Sequence, residues 1–209
     1  MPMYANISEA RRANERLACK VKGCTENRYR ISGYCRRHNA INSIYGSPYH
    51  KRIDARDYAM ETVECLGVIS KNHLKNHQGV LFGLRFFHQW LTDAAEGKPR
   101  TPASADMKRL YDAGITPTDL LTTSAAMVLF QSRYPLRIRD GRHLNYCIGT
   151  RILRSASNPG ILRGPQVREV GEHVWNNLKV LLVNIANTIQ RKEADNQENL
   201  KAMYKELLI

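Results

Sequence analysis

The chain has 209 residues, of which 43% are apolar, and its formal net charge at pH 7 is +13. This length suits one compact domain with a small appended module, and the apolar fraction is large enough to build a core. No apolar run reaches the roughly 20 residues that a membrane-spanning helix needs. We therefore expect a soluble protein without a membrane partner.

The first fifty residues predict a short helix followed by a loop-rich module. Residues 8–18 have helical character, with Ser8 as the N-cap. Turns are expected at Gly23, Gly33 and Gly46, because glycine is the residue that most readily adopts turn conformations. Strand character is expected only at residues 29–32.

The remainder of the chain predicts helices, because apolar residues recur three and four positions apart. The predicted helices span residues 54–75, 80–95, 103–113, 117–133 and 142–155, with a long one from residue 167. Thr116 is expected to cap a helix whose first position is Pro117. In the helix of residues 54–75, the residues expected to face inward are Ala55, Tyr58, Ala59, Val63, Leu66, Ile69 and Leu74. In that of residues 142–155, they are Leu144, Ile148, Ile152 and Leu153.

The last helix carries an apolar stripe, formed by Val167, Val170, Val174, Leu178, Leu181, Ile185 and Ile189. This spacing is typical of a helix packed on its own domain, or of a homodimer seam through residues 167–189. Beyond Gln190 the sequence is polar on all sides, so the helix either extends from the body or breaks. The predicted fold is mainly α, divided into a module (1–50), a helical domain (51–165) and the C-terminal helix (166–209).

Four metal-binding residue types lie close together near the amino terminus: Cys19, Cys24, Cys35 and His38. The intervals between them are four, ten and two residues. Two ligand pairs separated by a short loop are typical of a tetrahedral zinc site, so we predict one structural Zn²⁺. Neighbouring arginines are expected to lower the pKa of the thiols and so favour the thiolate that zinc requires.

Two alternatives compete with zinc. The cysteines could be buried free thiols, but the segment is too polar to bury three of them. A disulfide framework would leave one cysteine unpaired, and nothing at the amino terminus resembles a secretory signal. Cys65 and Cys147 lie in apolar helical sequence and are expected to be buried thiols.

The ligand motif continues as Gly33-Tyr34-Cys35-Arg36-Arg37-His38 and then Tyr45-Gly46-Ser47-Pro48. It resembles the zinc-binding module of bacteriophage HNH-type homing endonucleases and related phage DNA-binding proteins. The resemblance covers residues 19–48 and maps the ligands onto Cys19, Cys24, Cys35 and His38. It implies contact with nucleic acid without implying catalysis, because the module is an accessory to DNA handling.

The chain departs from the HNH pattern outside that module. An HNH nuclease needs a strand-borne histidine as general base, followed some 15 to 30 residues later by an asparagine and a second histidine. Here His73, Asn76 and His77 fall within one helical turn. His73 and His77 could share a metal, but no third ligand accompanies them. The sequence does not support nuclease activity.

The positive charge lies in two blocks. Residues 1–56 hold 12 Lys or Arg against 4 Asp or Glu, and residues 131–170 hold 8 against 2. Arginine dominates both blocks, and its planar guanidinium suits phosphate and guanine edges. The alternative is a generally basic, solvated surface. The residues expected to contact nucleic acid are Arg28, Arg30, Arg36, Arg37, Lys51, Arg52, Arg56, Arg137, Arg139, Arg142, Arg151 and Arg154.

These features together predict a non-catalytic, zinc-dependent protein that binds nucleic acid, with DNA the expected partner. It would be an accessory or regulatory factor of a phage or mobile element, in the cytoplasm of a bacterial host. The first alternative is a factor that binds a host protein of the polymerase, replication or defence machinery. The second is a divergent HNH-like nuclease.

Overall fold

The structure is a computed structural model that describes residues 3–98, 103–156 and 164–207, with side chains described from residue 6 to residue 198 within those ranges. These residues form eight α-helices and no β-strand, so the fold is mainly α as predicted. In chain order the helices are α1 (Met3–Glu15), α2 (Arg36–Tyr45), α3 (Ala59–Leu74), α4 (Gln78–Ala95), α5 (Ser104–Asp112), α6 (Pro117–Arg133), α7 (Gly141–Leu153) and α8 (Gly164–Leu207). A 3-10 helix at Ala55–Tyr58 leads into α3.

Helix α6 is the centre of the main core. It packs against α3, α4, α7 and α8, and its residues from Leu120 to Phe130 are almost all buried, as in a helix enclosed by its own domain. Its start is set by a capping box, in which the Thr116 hydroxyl accepts from Asp119 N at 3.2 Å and the Asp119 carboxylate accepts from Thr116 N at 2.9 Å. The predicted cap at Thr116 is confirmed.

Helix α8 lies on α6 and α7 with its apolar stripe in the main core. Six of the seven predicted stripe residues are at most 5% exposed, and Leu182 is buried in place of Leu181, which is half-buried. The helix continues without a break through its polar segment to Leu207. The stripe thus packs within its own chain, while a homodimer stays a prediction.

Three expectations about local structure were wrong. Residues 29–32 form no strand; the module holds an isolated bridge between Ala18 and Asn27 instead. Helix α1 runs from Met3 to Glu15, so Ser8 lies inside it and is not its N-cap, and the helix ends before the predicted boundary. The inward face predicted for the helix that contains α3 was wrong at Val63, Leu66 and Leu74, which are 68%, 44% and 86% exposed, whereas Tyr58 and Ile69 are buried as predicted. Cys65, Ile69 and Glu61 face the core there.

The inward face of α7 follows the sequence. All four residues predicted to face inward on α7 are at most 1% exposed, and the thiols of Cys65 and Cys147 are buried. In the part of the chain that the structure describes, no helix is both long and apolar enough to cross a membrane.

Candidate metal centre and basic surface

The four predicted ligands are brought together by a loop and the start of α2. Cys19 follows the bridge residue Ala18, and Cys24 follows the turn at Gly23, whose φ is 81°. Cys35 is the N-cap residue of α2, and His38 lies in the first turn of that helix. Backbone hydrogen bonds from Cys19 N to Glu26 O and from Cys24 N to Val21 O, both 3.0 Å, hold the loop.

The distances between the donor atoms are those of a tetrahedral metal site. The Sγ atoms of Cys19 and Cys35 lie 3.5 and 3.3 Å from Nδ1 of His38, and Cys24 Sγ lies 3.9 Å from Cys35 Sγ. All four donor atoms lie within 4.8 Å of one another. In a tetrahedral site with metal–sulfur bonds of about 2.3 Å and metal–nitrogen bonds of about 2.0 Å, a sulfur and a nitrogen ligand lie about 3.5 Å apart and two sulfur ligands about 3.8 Å apart. Cys19, Cys24, Cys35 and His38 could therefore bind a metal ion.

The ligands themselves make up most of the module's apolar interior. Cys19, Val21 and Cys35 form a small buried cluster separate from the main core, with Cys24 and Tyr34 packed against it. All five cysteines of the chain are free thiols, so the disulfide alternative finds no support. So little buried apolar surface cannot by itself offset the conformational entropy of a long loop.

The surroundings of Cys19 and Cys35 shift the pKa values of the two thiols in opposite directions. Burial raises the pKa of the Cys19 thiol, but hydrogen bonds from the backbone of Val21 and Cys35 and from His38 outweigh it and lower the pKa to about 7. Burial raises the pKa of Cys35 to about 11. The sequence predicted that arginines would lower the pKa of these thiols. At Cys19 the pKa is lowered instead by backbone N–H groups and by His38, and at Cys35 it is raised.

The turn after α2 docks the module on the body. Gly46, at the C-terminus of α2, has a φ of 80°, and a Cβ there would lie 3.0 Å from the backbone nitrogen of His143 in α7. Ser47 and Pro48 are buried. The glycine of the Tyr-Gly-x-Pro turn is required both for its left-handed backbone and for this close approach.

Arginines of the second basic block cross to the first. Arg168 of α8 and Arg142 of α7 each donate to Ser43 O, at 3.1 and 3.5 Å. The guanidinium of Arg139 lies 4.9 Å from the centre of the Tyr49 ring, a cation–π contact. The fold thus joins two basic blocks that are more than 70 residues apart in sequence.

The predicted nucleic-acid residues divide into exposed and structural ones. Nine are exposed: Arg30, Arg36, Arg37, Lys51, Arg52, Arg56, Arg139, Arg142 and Arg154. Three are half-buried: Arg28, Arg137 and Arg151. Arg28 donates to Ala18 O and to the Asn14 side chain, at 3.0 and 3.1 Å, which ties the module to α1. Arg137 pairs with Asp57 at 3.4 Å.

A cavity of 330 Å³ lies at the junction of module and body. Arg52 of the first block and Arg151 and Arg154 of the second line it, together with the rings of Tyr45 and Tyr146. The floor is apolar and includes Met127 of α6. The cavity is therefore a mixed apolar and positively charged site between the two basic blocks.

Sequence reasoning missed a second group of metal-binding residue types beside this cavity, formed by His50, His143 and Cys147. Nδ1 of His50 lies 2.6 Å from Nε2 of His143. Burial and the positive charges of His143, Arg137 and Arg151 lower the pKa of His50 to about 4. The only local signal was the spacing of His143 and Cys147, one turn apart on a helix, because His50 is 93 residues away.

The pair His73 and His77 is exposed at the end of α3 and the start of α4. It belongs to neither group of three or more potential metal ligands found among the described residues. No protein-family model matches this sequence, and no characterised protein or solved structure shows significant similarity to the chain.

Proposed function

We propose that this protein is a non-catalytic, zinc-dependent nucleic-acid-binding factor of a phage or mobile element, with DNA as its partner. The observation that carries the proposal is the meeting of the two basic blocks on one surface, next to the Cys3His cluster. Arg142 and Arg168 reach the carbonyl of Ser43, and Arg52, Arg151 and Arg154 line one cavity. A surface on which two arginine-rich segments meet suits a polyanion.

Zinc is the metal that best fits the Cys3His donor set. Thiolates are soft ligands that select zinc among the common divalent ions, and imidazole completes the tetrahedron. Four protein ligands leave no position for substrate, which is the arrangement of a structural site. The metal would therefore act by folding the module and holding its arginines in place.

The residues best placed to meet phosphates are Arg36 and Arg37, at the start of α2, and Lys51 and Arg56 beyond it. The side chains of all four are exposed and, among the described residues, make no hydrogen bond or ion pair. These side chains could therefore bind phosphate without breaking any interaction within the protein. The positive end of the α2 dipole adds to the attraction, because a helix N-terminus favours anions.

A binding assay at several salt concentrations tests the proposal. We would measure the fluorescence anisotropy of labelled duplex DNA, single-stranded DNA and RNA with the protein. Each phosphate contact contributes about 0.9 to the slope of log affinity against log salt on duplex DNA. Arg36→Ala/Arg37→Ala should therefore weaken binding and reduce the slope by about 2, with metal content unchanged.

The matched control is Lys71→Ala/Arg85→Ala, which removes the same charge from helices α3 and α4, outside both basic blocks. We expect this control to bind almost as the parent does. Equal loss in both double variants would show that only net charge matters. Absence of binding to every nucleic acid at low salt would contradict the proposal.

A second candidate function is supported by an exposed apolar stripe on α3. Met60, Val63 and Leu74 are 66%, 68% and 86% exposed, and they lie on one face of the helix. Exposed apolar residues clustered on a helix are typical of a protein-binding surface. This surface favours the alternative in which the partner is a host protein. A pull-down experiment tests that alternative, with Val63→Asp as the control variant that should lose the partner.

A further inference from the structure

Three side chains converge at the junction between module and body, away from the Cys3His cluster. His143 and Cys147 lie one turn apart on the same face of α7, and His50 reaches them from the loop after the Tyr-Gly-x-Pro turn. Their donor atoms all lie within 4.8 Å of one another. His143 and Cys147 are 1% and 4% exposed, so the group is shielded from bulk water.

We propose that His50, His143 and Cys147 form a second metal site, for a divalent ion of the zinc class. Two imidazoles and one thiolate make a mixed nitrogen and sulfur donor set, which zinc and cobalt accept and which magnesium and calcium do not. With three protein ligands, this site differs in kind from the four-ligand Cys3His cluster. It belongs to the class that keeps one coordination position open.

The neighbouring rings hold His50 in position. Its imidazole stacks on the Tyr45 ring, with 4.1 Å between centroids and 14° between planes, and it meets the edge of Tyr146 at 5.8 Å. A ligand fixed by packing loses less conformational entropy when a metal binds. The module and α7 are thereby coupled, since one ligand comes from the module side and two from the body.

Metal binding requires only a small rearrangement from the metal-free geometry. The 2.6 Å between the two imidazole nitrogens is a hydrogen bond, in which one proton is shared. A tetrahedral ion with metal–nitrogen bonds of about 2.0 Å would hold them about 3.3 Å apart. His50 is half-buried on a loop, so a small shift of that loop, carrying the stacked Tyr45 and His50 rings together, supplies the difference. The ion takes the place of the shared proton, and the Cys147 thiol releases its own to solvent.

The surroundings of His143 accommodate the required tautomer. In the metal-free structure its Nδ1 accepts a long bond of 3.4 Å from Arg139 N. With the metal on Nε2, the proton moves to Nδ1, and that bond is lost. The carboxylate of Asp140, the N-cap residue of α7, accepts from His143 N at 2.9 Å, and its negative charge favours a proton on the His143 ring.

The fourth position opens on the 330 Å³ cavity, because His50 and Cys147 both line it. Arg52, Arg151 and Arg154 line the same cavity. The fourth ligand is therefore a water molecule or an anionic oxygen, whose charge the arginines and the ion would share.

Metal stoichiometry and cobalt spectra test the second site on the full chain. The parent protein should bind two equivalents of Zn²⁺, and Cys147→Ser and His50→Ala should each bind one. Cys65→Ser is the matched control, because Cys65 is also a buried thiol but belongs to neither group of potential metal ligands found among the described residues, and it should still bind two. With Co²⁺, Cys147→Ser should lose about one quarter of the thiolate-to-metal charge-transfer absorbance, since one of four thiolates is removed.

His50→Ala keeps the test decisive if Cys147→Ser fails to fold, because His50 lies outside the helical core and circular dichroism will report the helices. One metal equivalent in the parent would overturn the proposal and leave His50 and His143 as a hydrogen-bonded pair. Two equivalents of metal in Cys147→Ser and in His50→Ala, as in the control Cys65→Ser, would also overturn the proposal. Nucleic-acid binding is a separate measurement, so the two proposals can fail independently.

Discussion

Gly149 of α7 and Gly171 of α8 meet at the closest approach of the two helices. A Cβ on Gly149 would lie 1.8 Å from Val167 O, and one on Gly171 would lie 1.8 Å from Asn145 O. Neither position has room for a methyl group. This backbone contact sets how closely the long C-terminal helix approaches α7.

Replacing Gly171 with alanine should therefore destabilise the fold. The added methyl would force α7 and α8 apart and disturb the buried side chains on either side, as overpacking does. We expect the free energy of unfolding to fall by about 3 kcal/mol. Chemical denaturation followed by circular dichroism measures it.

Gly67→Ala is the control for that substitution. Gly67 is an exposed residue in the middle of α3, and a Cβ there would have no neighbour within 4 Å. The better helix propensity of alanine should raise stability by about 0.5 to 1 kcal/mol. Effects of the same sign in both variants would contradict the close-packing explanation.

Arg133 neutralises the buried carboxylate of Glu61. Its Nη1 lies 3.0 Å from Oε1 of Glu61, which is 3% exposed, and it also pairs with Glu64 and with Glu193 of α8. Arg133→Met would leave Glu61 charged and unpaired in the core, and we expect a loss of roughly 3 kcal/mol. Thermal denaturation at neutral pH measures this loss.

Two further variants separate this effect from a general loss of charge. Arg133→Met/Glu61→Gln should recover part of the stability, because it removes the uncompensated charge. Arg11→Ala breaks the exposed pair with Glu15, which solvent screens, so stability should change far less than in Arg133→Met. If Arg133→Met is as mild as Arg11→Ala, Glu61 does not depend on the pairing.

The capping box at the start of α6 gives a smaller prediction. Thr116→Ala removes the hydroxyl that accepts from Asp119 N, and it should cost about 1 kcal/mol. Thr118→Ala, two residues later, removes a hydroxyl that makes no hydrogen bond among the described residues and should change stability much less. Urea denaturation of both variants compares them.

Removing the metal from the Cys3His cluster should unfold the module and spare the body. The module's buried cluster consists of Cys19, Val21 and Cys35 and is separate from the main core. Hydrogen–deuterium exchange after treatment with a chelator should show lost protection in residues 17–45 and retained protection in α6. Unchanged protection in the module would show that it folds without a metal.

Much of the fold could be predicted from the sequence because the signals are local. Thr116, Pro117 and Asp119 mark the start of α6, and the stripe of α8 has an unambiguous helical period. The sequence placed Cys65 and Ile69 of α3 correctly in the interior, but it could not predict the burial of Glu61, since that depends on pairing with a residue 72 positions away. A carboxylate looks like a surface residue until its partner is known.

The sequence by itself determined the mainly α fold and the grouping of Cys19, Cys24, Cys35 and His38, because helical periods and ligand spacing act over a few residues. Only the tertiary structure decided which distant groups meet. It brought the two basic blocks together and placed His50 beside His143 and Cys147. The reason is physical: contacts between distant segments depend on how helices pack, and no local pattern encodes the close approach of Gly149 and Gly171.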